Sequence, residues 1–142
     1  MIKQVSVFVE NKPGHLVEIA SALAEAGIDI RALSLADTTN YGILRLIVAE
    51  PDTAYRVLHD KGLTVSLTDV LAVGVDDRPG GMVKALSVLA EKQISVEYMY
   101  AFIGGTEDGA KVILRLDNNE AGEAALREAG VLILQPEELY RL

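Results

Sequence analysis

Two short stretches carry residue types that can hold a small charged ligand. The first is Asn11-Lys12-Pro13-Gly14-His15-Leu16 and the second is Asp77-Arg78-Pro79-Gly80-Gly81-Met82, with their prolines 66 residues apart. Each follows an alternating apolar segment and opens an amphipathic one. A glycine between strand and helix lets backbone approach a ligand with no Cβ in the way. The first turn of a helix presents N–H groups without helical acceptors, and the helix dipole favours an anion there. The amides of Gly14, His15 and Leu16, and those of Gly80, Gly81 and Met82, are therefore candidate holders of a carboxylate. Candidate acceptors for an ammonium are Asn11, Asp29 just after the Gly27-Ile28 helix stop, and Asp76 and Asp77 before the second turn. Ser95 stands in the second copy where the first has Asp29. Backbone donors with side-chain acceptors beside them would recognise an α-amino acid. The same corners also serve as plain tight connections, and spacing alone leaves both readings open. His15 has no evident partner and reads as exposed, as does His59 between Leu58 and Asp60.

The elements that must position these turns follow from periodicity. Val5, Val7 and Val9 alternate, as in a half-buried strand. Leu16, Ile19, Ala20 and Leu23 share one helical face, and Gly27 suits the left-handed position that ends a helix. Residues 28–36 and 41–49 read as a hairpin around Asp37-Thr38-Thr39-Asn40. Asp52 is the expected N-cap of a short helix that Gly62 closes, and 63–67 is a fourth strand. The second copy repeats the order: a strand at 71–75, a helix from Met82, and strands at 94–102 and 111–116 around Gly104-Gly105-Thr106-Glu107-Asp108-Gly109. A helix opened by Asn118-Asn119, a strand at 131–134 and a short tail complete it. Both copies read β-α-β-β-α-β, an α+β class with antiparallel sheets and helices on one face. The halves are 1–68 and 69–142, docked closely because only Thr68-Asp69 separates them. Ile43 and Ile47 alternate with Leu44, Leu46 and Val48, so the third strand is apolar on both sides, and Ile113 extends the pattern. That predicts a second covered face, within the chain or in a dimer.

Half of the 142 residues are hydrophobic but few are aromatic, so the core must be aliphatic. The net charge is −8 and the thirteen Lys and Arg are scattered, which argues against nucleic acid and anionic membrane as partners. No stretch approaches the ~20 apolar residues of a membrane span. Nothing at the N-terminus reads as a signal peptide, so a cytoplasmic location is expected. Cysteine is absent, which excludes thiolate metal sites and thiol nucleophiles. There is no His-Glu-x-x-His, no Gly-Lys-Ser/Thr phosphate loop and no Gly-x-Ser-x-Gly, so no catalysis, metal or cofactor is expected.

The first turn with its helix and Gly27-Ile28-Asp29-Ile30, and the second turn with Ile94-Ser95-Val96, resemble the ACT domain family. These are small ligand-binding modules of amino-acid metabolism, and here two copies cover nearly the whole chain. The resemblance implies a ferredoxin-like tandem that binds an amino acid against the turns at a domain interface. It places Asn11, Pro13, Gly14, His15, Leu16, Asp29 and Ile30 at one site. Asp76, Asp77, Pro79, Gly80, Gly81 and Met82 belong to the second, where Ser95 departs from the pattern. It also implies a homodimer that acts on a separate metabolic enzyme. The alternative is an interaction or dimerisation module without ligand.

Overall fold

The computed structural model describes residues 1–37, 40–103, 107 and 109–141. Thr38, Thr39, Gly104, Gly105, Thr106 and Asp108, parts of the two expected hairpin turns, lie outside the described residues. The order is β1 (Ile2–Glu10), α1 (His15–Glu25), β2 (Ile30–Asp37), β3 (Tyr41–Val48), α2 (Pro51–Asp60) and β4 (Thr64–Val75). Then come α3 (Val83–Glu91), β5 (Val96–Ala101), β6 (Ala110–Leu116), α4 (Asn119–Glu128), β7 (Leu132–Ile133) and α5 (Pro136–Tyr140).

Among the described residues the strands form one antiparallel sheet in the order β2-β3-β1-β4-β6-β5, with β7 on β4. The two strands expected at 63–67 and 71–75 are one. β4 runs unbroken through Thr68 and Asp69 because cross-strand partners satisfy both. Asp69 takes Lys3 at 2.6 Å, and the Thr68 hydroxyl lies 3.0 Å from that of Ser6. The Asp69 carboxylate in turn holds the Lys3 ammonium above its usual range. β4 pairs with β1 through its first half and with β6 and β7 through its second, so each half completes a β-α-β-β-α-β order by sharing it.

The helices cover one face. Ile19, Leu23, Ala54 and Leu58 of α1 and α2 bury Val5, Val7, Val9, Leu44 and Leu46. Ala85, Leu89 and Leu126 of α3 and α4 bury Leu71, Val73, Val112 and Leu114. The opposite face is buried as well, within the chain. The sheet curls until its ends meet: Ala32 of β2 bridges Phe102, and the Ile103 amide donates to the Arg31 carbonyl at 3.2 Å. Ile47 and Ile113, two of the three residues that made the strands apolar on both sides, are fully buried here with Ile2, Val70, Ala72 and Leu139, whereas Ile43 is half-buried and outside this cluster. α5 closes this inner core. The expected tail is a helix because Gln135 and Glu138 form a capping box, Pro136 fits the first turn, and Leu139 is buried. α2 also starts earlier than expected: Glu50 is its N-cap, Pro51 occupies the first position, and Asp52 lies inside. Asn118 caps α4 as expected, accepting from the Ala121 amide.

One polar layer interrupts the inner core. Gln4 is completely buried, its amide donates to the Tyr98 and Ser6 hydroxyls, and its carbonyl accepts from Tyr100 at 2.6 Å. Burial pushes the Tyr100 hydroxyl far above the usual tyrosine range, with the neighbouring Tyr98 adding to the shift. A raised folded-state value means the protonated form is favoured by folding. Its contribution is complete below the unfolded value near pH 10 and is lost as pH rises beyond it. Unfolding free energy measured by denaturant should therefore fall above pH 10, Tyr100 contributing about 1.4 kcal/mol per pH unit. Tyr100→Phe should remove that one-proton share of the slope. An identical slope in the variant would show that Tyr100 ionises freely in the folded protein.

Candidate functional site

Both predicted turns leave a strand end and open a helix, and they share a local construction. Gly14 has φ 90° and Gly80 φ 82°, a left-handed conformation that glycine adopts without penalty. A carboxylate two residues before a cation is ion-paired in each: Glu10 with Lys12 at 2.7 Å, and Asp76 with Arg78 at 3.0 Å. Lys12 holds the Glu10 carboxyl below its usual range by hydrogen bond and charge. One expected donor in each turn is used by the turn itself. The His15 amide donates to the Lys12 carbonyl at 3.4 Å, and the Gly81 amide to the Arg78 carbonyl at 2.9 Å.

The turns differ in what surrounds them. The second borders a cleft of about 590 Å³. Asp76, Pro79, Gly80 and Gly81 line it from the turn, Lys84 and Ala85 from α3, Gly130 and Val131 from the α4–β7 connection, and Leu132 from β7. Asp77 is not on the lining, and Met82 packs half-buried against the α3–α4 core. Gly81 sits hard against the Asp76 carbonyl, where a Cβ would overlap the oxygen. The cavity beside α1, about 320 Å³, is lined by Val17, Glu18, Ser21 and residues further along, and does not include the first turn. There Asn11 donates its amide to the Asn40 carbonyl, Pro13 and Gly14 are exposed, His15 is half-exposed and Leu16 is exposed.

The residues assigned to one site are not all brought together. Glu10 pairs with Tyr41 and Ile30 with Val48, at opposite ends of β3. Asn11 is level with Asn40 and Asp29 with Ala49, so the two lie about 30 Å apart along the strands. Ile30 is half-buried in the first helical core. Ser95 donates its amide to the Asp117 carboxylate and is likewise at the far end of the sheet from Asp77. The inter-strand register moves Asp29 elsewhere. Ile103 reaches the Arg31 carbonyl, and Val75 is level with Ala110. Asp29 thus shares its end of the sheet with the second turn, with β5 and β6 between them. Its carboxylate is held by Arg31 at 2.8 Å.

Comparison with known proteins settles what kind of fold carries these turns. A family model, the ACT domain pair, matches residues 1–141. The chain belongs to the ACT domain pair family. Protein BT0572 from Bacteroides thetaiotaomicron is 37% identical, with a TM-score of 0.92 over 99% of this chain and 96% of its own. Two more distant structures share the fold. The regulatory subunit of aspartate kinase from Thermus thermophilus, in its ligand-free form, is 20% identical with a TM-score of 0.63, covering 90% of each chain. The corresponding subunit from Thermus flavus is 15% identical with a TM-score of 0.59, covering 92% of this chain and 94% of its own. No curated protein matches. This ACT pair thus has the fold of those regulatory subunits, and no helix among its described residues is long and apolar enough to cross a membrane.

Lys84 and the α4–β7 connection escaped the sequence reading. A signal was present: Lys84 follows Pro79 by the spacing at which Glu18 follows Pro13, so aligning the copies exposes the reversed charge.

Proposed function

We propose that this ACT pair is a non-catalytic regulatory protein that binds an amino acid at the strand–helix turns and acts on a separate metabolic enzyme in the cytoplasm. It works as a homodimer of two-unit chains, the units meeting at 68/69 within β4. The 590 Å³ cleft beside Gly80 and Gly81 carries this reading, because it joins close backbone approach, charged side chains and room for an amino acid. Thermal unfolding in the presence of each of the twenty amino acids tests it. Ligand at one hundred times its Kd stabilises by about 2.7 kcal/mol, a rise in Tm on the order of 5–10 °C for a chain of this size. No shift with any amino acid would defeat the proposal.

A second reading, an assembly module without ligand, has its own observation. Leu33 and Leu35 on β2 and Met99 and Ile103 at β5 are exposed apolar residues on the two strands that close the sheet. A melt that rises with protein concentration but ignores every amino acid would favour it.

A further inference from the structure

The two turns carry the same ion pair and differ in the third charge. Glu10 and Lys12 correspond to Asp76 and Arg78 at the 66-residue offset, and both pairs are formed. At the same offset Glu18 of α1 becomes Lys84 of α3. Lys84 has no ion-pair partner among the described residues, and its Nζ would lie 3.8 Å from a Cβ built on Gly130, so the side chain reaches the far wall of the cleft. The charges lining the cleft are Asp76, Arg78 and Lys84, a net of +1. Their counterparts at the first turn sum to −1.

We propose that the second-turn cleft takes an amino acid with an acidic side chain, an aminodicarboxylate. This rests on the amino-acid reading of the same cleft and names the ligand class within it. Such a ligand carries −1 overall and neutralises the lining. Lys84 and Arg78 hold its two carboxylates, and the Asp76 carboxylate accepts from its ammonium. A neutral amino acid would leave one cation of the cleft without an anion. The apolar part of the lining, Ala85, Val131 and Leu132, meets the short methylene chain. The first turn, with Glu18 in place of Lys84, repels the same ligand.

Isothermal titration with L-aspartate, L-glutamate and their amides L-asparagine and L-glutamine tests this, because each acid and its amide differ by one charge at nearly constant shape. The expected result is about tenfold or tighter binding of an acid over its amide, the size of one lost charge-assisted contact. Lys84→Glu should abolish the preference, and Lys84→Gln should reduce it. Lys84 is exposed, so both variants should melt like the parent without ligand. Glu18→Lys should leave the affinity unchanged. Equal binding of acid and amide, or a Lys84→Glu variant that still prefers the acid, overturns the ligand class while amino-acid binding stands. A Glu18→Lys variant that strengthens the preference for the acid, while Lys84→Gln weakens it, would assign the effect to overall charge and also overturn it. Heat with none of the four, and no thermal shift with any of the twenty, overturns both.

Discussion

Ile113→Ala should lower the free energy of unfolding by about 2–5 kcal/mol, the range for emptying a fully buried isoleucine site. Ile113 points away from the helices, on the face that a single ferredoxin-like unit leaves open. It has no exposed surface, since Ile47, Ala72 and Phe102 share its cluster. Its neighbours come from both halves of the chain and are tied in place by β4 on one side and the Ala32–Phe102 bridge on the other. They have little freedom to collapse into the gap, and a gap that cannot close adds a cavity cost to the lost transfer energy. Urea unfolding would show the effect as a lower midpoint with an unchanged slope. The loss should be the same at dilute and concentrated protein, because the covering residues belong to the same chain. A loss below about 1 kcal/mol in dilute protein that grows as the protein is concentrated would mean that this face is covered by another copy rather than by the chain itself.

That inner core marks how far the sequence could be read. Alternation placed the strands, and 3.6-residue spacing placed the helices with Gly27, Gly62 and Gly130 at their ends. The doubled apolarity around Ile47 required a second cover but could not name it, since periodicity reports a face and not what lies against it. The cover was the other half of the chain, and nothing local marks the curl that brings Phe102 to Ala32. Thr68-Asp69 misled for a related reason. Two polar residues in a row read as a break, yet Lys3 and Ser6 on the adjacent strand satisfy them, and such partners are far away in sequence. The turns themselves were legible because glycine, proline and charge act locally. The grouping of Asn11 with Asp29 was not, because strand register alone sets their separation. Lys84 was legible in principle, but only from the difference between the copies.

Gly81→Ala should cost stability and remove ligand binding at the second turn together. The backbone of Gly81 is not in the left-handed region, so alanine meets no conformational penalty of the kind Gly14 or Gly80 would impose. The obstacle is contact. An ideal Cβ at Gly81 would overlap the carbonyl oxygen of Asp76, which is main chain and cannot swing aside like a side-chain tip. The turn must open, and that strains the Gly81-to-Arg78 hydrogen bond and displaces Asp76 from its place on the cleft wall. Forcing extra atoms into a closed site costs about 1–3 kcal/mol, and more where backbone has to move. The first turn supplies the comparison, for its equivalent residue is His15, a full side chain that the looser corner accommodates. His15→Ala should therefore leave stability within about 0.5 kcal/mol of the parent, as surface changes do. Melting curves and titration of both variants with the amino acid that shifts the parent would separate the two corners. A Gly81→Ala protein with parental Tm and parental affinity would show that this close approach has no part in shaping the cleft.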